Sequence, residues 1–161
     1  MVTEWYVLRS KPRKERVLYR YIKSENVDCY YPRLSVNPVN PRARKIKPYF
    51  PGYMFVHLDL DEKGRSMFRW MPHSLGLVRF GGEPATVPDS LVQGIRRTVA
   101  AISEAGGEEY FELQPGDEVL IEDGPFQGYR AVFDARLSGK DRVQVLLKML
   151  NDNRDIPVEL K

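Results

Sequence analysis

Apolar and polar positions along the chain change period several times, and each change marks an element. Glu4 to Arg9 (Glu-Trp-Tyr-Val-Leu-Arg) is an aromatic and β-branched run, the pattern of a buried strand. Ser10 then offers a helix cap, and Pro12 falls in the first turn, where its missing N–H costs nothing. Val17, Leu18, Tyr21 and Ile22 recur at helical spacing through about Glu25. Val27 to Leu34 reads as a second strand, and Asn37 to Pro48, with three prolines and four basic residues, as an exposed loop or extended hairpin. Tyr53 to Leu58 forms the third strand. Asp61 to Met71 sets Met67, Phe68 and Met71 on one side of a short helix ended by Pro72, and Gly76 to Phe80 supplies a fourth strand. The order β-α-β-β-α-β predicts an α+β, ferredoxin-like domain: a four-stranded antiparallel sheet with both helices on one face. A third helix follows, capped by Asp89 and striped by Leu91, Ile95, Val99 and Ile102.

Past a glycine-rich break, short runs at Asp117 to Glu122, Tyr129 to Ala135, Arg142 to Met149 and Ile156 to Leu160 predict a small C-terminal β-barrel. The expected layout is a first domain over 1–102, a linker over 103–110 and a second domain over 111–161. The last domain admits a second reading. Val143, Val145, Leu147 and Met149 alternate as a strand, whereas Val143, Leu146, Leu147 and Leu150 keep helical spacing, so an α-helical hairpin is the alternative.

Composition narrows the class. At 161 residues, with 42% hydrophobic and 29% charged side chains, the chain has apolar material for a packed core, and disorder and collagen are excluded. No apolar run reaches the ~20 residues of a membrane span, and no signal-peptide series opens the chain, so no membrane association and a cytoplasmic location are expected. Cys29 is the only cysteine, and His57 and His73 are the only histidines, so no disulfide, metal or cofactor is expected. Cys29 and His57 fall inside predicted strands, and P-loop, GxGxxG and HExxH motifs are absent, so no catalytic residues and no enzyme are expected. Charge is segregated: residues 1–50 hold 12 Lys or Arg against 4 Asp or Glu, while residues 107–161 hold 7 against 12. A basic first third attracts polyanions, and an acidic last third favours protein partners.

Three stretches in order carry a resemblance. Trp5-Tyr6-Val7-Leu8 precedes a basic helix, Tyr49-Phe50-Pro51-Gly52-Tyr53-Met54-Phe55-Val56 lies at the centre, and Pro115-Gly116-Asp117-x-Val119-x-Ile121-x-Asp123-Gly124-Pro125-Phe126-x-Gly128 follows the linker. Together the chain resembles the NusG family of transcription elongation and antitermination factors, including its specialised RfaH-like paralogues. The resemblance implies an N-terminal NGN domain and a C-terminal KOW barrel, its motif marked by Gly116, Asp117, Val119, Gly124, Phe126 and Gly128. In the RfaH-like members the C-terminal domain can instead be a helical hairpin that masks the polymerase site.

The alternation in the third strand places Tyr53 and Phe55 on one face and Met54 and Val56 on the other, one face being core. Tyr53 and Phe55 either display a protein-docking patch or bury under helices, and the resemblance favours docking on the RNA polymerase clamp through Phe50, Pro51, Tyr53 and Phe55. Arg13, Arg16, Arg20 and Lys23 form one ridge of the first helix, joined by Lys11 and by a second cluster at Arg42, Arg44 and Lys45. Such ridges suit a phosphate backbone, and the resemblance implies non-template DNA near the transcription bubble. For the KOW domain it implies Rho or the ribosome, although the family's frequent aromatic is missing from Leu147-Lys148-Met149-Leu150. A monomeric factor promoting processive elongation is thus expected; the rival reading is a KOW-type RNA- or ribosome-binding protein.

Overall fold

The computed structural model describes residues 3–35, 46–63, 66–104 and 138–152. In chain order the elements are β1 (Glu4–Ser10), α1 (Glu15–Ser24), β2 (Asp28–Tyr30), β3 (Arg33–Ser35), β4 (Ile46–Pro48), β5 (Tyr53–Leu58) and α2 (Leu60–Lys63). They continue as α3 (Met67–Trp70), β6 (Ser74–Leu77), β7 (Arg79–Phe80), β8 (Glu83–Pro84), β9 (Thr86–Val87), α4 (Asp89–Glu104) and α5 (Gly139–Asp152). They fall into two compact units, one of Met1–Tyr31 with Gly52–Asp89 and one of Pro32–Pro51 with Ser90–Lys161.

The first unit is built on an antiparallel sheet of order β2-β5-β1-β6, with β9 also pairing β1. This is the strand order of the expected ferredoxin-like arrangement. Tyr6 lies opposite Val56 and Leu8 opposite Met54, which puts all four on one face. There they join Leu18 and Ile22 from α1, Phe68 from α3, Cys29, Leu58 and Leu77 in one core, so α1 and α3 share that face. The intervening positions, Trp5 opposite His57 and Val7 opposite Phe55, lie on the other face.

Local chemistry moves several boundaries. α1 begins at Glu15, not near Ser10: Ser10 stays in β1, its hydroxyl donates to the Lys11 carbonyl, and Arg13 takes a left-handed φ of 66° in the turn before the helix. Lys14 occupies the cap position without a side-chain cap bond. The buried stripe of α1 is Glu15, Leu18 and Ile22, whereas Val17 and Tyr21 remain 42% and 44% exposed. The expected second strand divides at Pro32, which has no N–H to give a ladder. β2 pairs β5 in the first unit, and β3 pairs β4 in the second. The single helix expected over Asp61 to Met71 is two short segments, α2 and α3, and Met71 turns extended (φ −68°, ψ 131°) before Pro72 as that proline requires.

In the second unit α4 buries Leu91, Val92, Ile95, Val99 and Ile102, the expected stripe widened by one, and runs on through residues 103 and 104 of the expected linker. The strand expected over Arg142 to Met149 is corrected: this stretch is helical, inside α5. The Ser138 hydroxyl accepts the Asp141 N–H at 3.1 Å and caps the helix, and Arg142, Val143, Leu146, Met149 and Leu150 are buried while Gln144 and Lys148 are exposed. Burial with period 3.6 rather than 2 makes this stretch a helix. The barrel's other expected strands and the KOW motif residues Gly116, Asp117, Val119, Gly124, Phe126 and Gly128 lie outside the described residues.

Core position and exposure separate two adjacent aliphatics in α1. Leu18→Ala is expected to cost about 2–5 kcal/mol, and Val17→Ala only ~0.5 kcal/mol, as read by chemical denaturation.

Candidate functional site

The turn entering β5 is held from β1 and α1. Gly52 has a φ of 83°, a conformation glycine adopts without a Cβ penalty. Its N–H donates to Glu15 Oε2 at 3.0 Å, and its carbonyl accepts the Ser10 N–H at 2.8 Å. β5 leaves this turn with Tyr53 half-buried and Met54, Phe55 and Val56 buried.

On the sheet face opposite the α1 and α3 core the register assembles an aromatic row. His57 stacks on Trp5 with centroids 4.5 Å apart, and its Nδ1 lies 3.6 Å from Asp28 Oδ2. Phe55 stacks on Tyr30 at 6.3 Å. The Trp5 indole N–H donates to Asp89 Oδ1 at 3.0 Å, so the residue expected to cap α4 holds the end of this row.

In the second unit the Tyr49 N–H donates to the Pro32 carbonyl, and Tyr49 and Phe50 meet edge to face at 5.0 Å, both fully buried. The guanidinium of Arg142 lies 4.0 Å over the Tyr49 ring, and its Nε donates to the Tyr49 carbonyl at 3.0 Å. Arg142 has no exposed surface. A delocalised, weakly hydrated cation pairs with a ring face at less desolvation cost than an ammonium, which fits arginine at this place. Gly139 lies so near Pro51 that an added Cβ would fall 2.5 Å from the proline Cδ. The first turn of α5 therefore rests on Tyr49 to Pro51.

Of the sequence-derived docking residues, Pro51 is exposed and Tyr53 half-buried, while Phe50 and Phe55 are fully buried. The expected face alternation holds, with Met54 and Val56 in the core, but the patch is not displayed at Phe55. Lys11, Arg13, Arg16, Arg20 and Lys23 are all exposed, the last three on one side of α1. Arg42, Arg44 and Lys45 lie outside the described residues. Among the described residues no group of three or more His, Cys, Asp or Glu is placed to hold a metal ion, and no helix is long and apolar enough to cross a membrane. Cys29 is buried in the core. Sequence reasoning missed Arg142 and Glu15. The Ser138-x-x-Asp141 spacing ahead of an apolar run was the available signal for α5; a charged residue inside an apolar stripe, as at both missed positions, was the available signal for their burial.

The sequence model of the family described as transcription termination factor nusG matches residues 3–96. The chain belongs to the NusG family. It is similar to the transcription termination/antitermination proteins NusG of Pasteurella multocida, 26% identical over 98% of this chain and 91% of that one, and of Pseudomonas aeruginosa, 27% identical over 100% and 96%. The NusG of Escherichia coli K12 is 24% identical over 97% and 91%. A solved structure of Thermotoga maritima NusG, described as showing domain interaction, aligns at 22% identity and a TM-score of 0.49, over 81% of this chain and 78% of that one. The span matched in this NusG-family chain holds the Gly52 turn, the aromatic row and the basic helix; α5 lies beyond it.

Arg142→Lys keeps the charge and loses both the planar stacking and the Nε bond. It is expected to weaken the hold of α5 by about 1–3 kcal/mol, read as faster amide exchange across residues 142–150 with exchange in β1 and β5 unchanged.

Proposed function

We propose that this NusG-family chain is a non-enzymatic transcription elongation and antitermination factor that docks on the RNA polymerase clamp, with its polymerase-facing segment held closed by the C-terminal helix. The observation that carries the reading is the seating of Arg142 and Gly139 on Tyr49 and Pro51, inside the segment that gives the sequence its family resemblance. A docking surface must offer its aromatics to the partner, and Phe50 and Phe55 are buried in the state described. Release of α5 frees Tyr49 to Pro51 for the clamp. This is the behaviour of the RfaH-like paralogues, and a chain with α5 helical fits it better than one with a permanent barrel.

The exposed cations of α1 hold the non-template DNA strand beside the transcription bubble, and the C-terminal domain, once released, recruits Rho or the ribosome. The factor acts as a cytoplasmic monomer. The relatives' names, termination/antitermination protein, support a role at the decision between continued elongation and release.

Two experiments test this reading. Gly139→Ala drives a methyl against the rigid Pro51 ring, and the full-length variant should bind polymerase about tenfold more tightly than the parent, about 1.4 kcal/mol. Unchanged binding by the folded variant argues against the closed state, and no binding by either argues against the polymerase assignment. Arg16→Glu, Arg20→Glu and Lys23→Glu together should lower affinity for single-stranded DNA by at least about tenfold and reduce its logarithmic salt slope by about 2, at ~0.7 per lost phosphate contact. An unaltered slope would assign the ridge to solvent.

A further inference from the structure

Glu15 is buried at 4% exposure, in the same inward stripe of α1 as Leu18 and Ile22. A carboxylate there is costly to desolvate, and an aliphatic side chain would fill the stripe without that cost. What the carboxylate adds is an acceptor, and its bond goes to the Gly52 N–H. Its place in the first turn of α1 lets the helix dipole offset part of the burial. The other backbone group of Gly52 is taken by the Ser10 N–H, so Gly52 is bracketed by the two residues that flank the exposed Lys11 to Lys14 loop. Gly52 in turn sets the direction in which Tyr53 and β5 leave the turn, and it does so at a φ with little steric restraint of its own.

We propose that Glu15 is the positioning residue of the polymerase-facing turn, fixing Gly52 and Tyr53 in one geometry relative to the basic loop. The proposal rests on the polymerase reading for its functional consequence and on the Glu15 to Gly52 bond for its structural one. Without the acceptor the turn samples other conformations, and the partner must order it again on binding.

The test compares full-length Glu15→Met, which fills the stripe without an acceptor, with Glu15→Gln, which keeps an amide oxygen for Gly52. Exchange of the Gly52 amide is followed by NMR, polymerase binding by titration, and thermal melting checks the fold. Glu15→Met should exchange Gly52 at least about tenfold faster and bind polymerase about tenfold more weakly while still folding; Glu15→Gln should restore both. The proposal is overturned if Gly52 stays protected in Glu15→Met, or if Glu15→Gln falls as far as Glu15→Met. If the parent chain does not bind polymerase, the polymerase reading fails, and Gly52 exchange in the two variants still decides the positioning role.

Discussion

The pairing of β1 with β5 is the constraint on which the first unit depends. Its register, from Glu4 opposite Leu58 to Arg9 opposite Tyr53, sorts the side chains of two adjacent strands onto two faces. A slip of β5 by one residue would send Met54 and Val56 away from α1 and α3 and replace them with Phe55 and His57. The same register stacks Trp5 on His57 and brings Phe55 within reach of Tyr30. Gly52 ends this pairing, and the bonds from Glu15 and Ser10 hold it there, so the segment that identifies the family is fixed by the ladder it introduces.

In the second unit a single cation carries comparable weight. Arg142 is buried against the Tyr49 ring and carbonyl, and its place at the start of α5 ties that helix to the Tyr49 segment; the latch proposed above rests on this contact. Buried charges are strongly destabilising when one partner is withdrawn, because the other is left unsolvated. A contact of this kind holds until the whole element leaves, which suits a two-state element better than a gradual one.

Much of the fold was legible in the sequence, because β1, β5 and α4 present long, unambiguous periodicities. The exceptions have physical causes. The start of α1 was misplaced because Pro12 sits in a turn completed by a left-handed Arg13, not in the helix. Val17 and Tyr21 satisfy helical spacing yet stay exposed, since a ten-residue helix lying on one sheet face buries a stripe narrower than its apolar set. Pro32 divides a run that reads as one strand. In α5 two periods overlap in the same apolar residues, and the Ser138 cap, a local hydrogen bond, favours the helix. In the candidate site burial was not legible: Phe50 and Phe55 were singled out by motif, and their burial depends on contacts distant in sequence. Arg142 and Glu15 carry charge inside apolar stripes, which hydrophobic patterning treats as surface.

The most direct test of the closed, latched state is polymerase affinity measured side by side for the full-length chain and for the chain cut between residues 105 and 137 and freed of its C-terminal part. Removal of α5 is expected to raise affinity at least about tenfold, the equivalent of about 1.4 kcal/mol. Equal affinity of the two forms would contradict it.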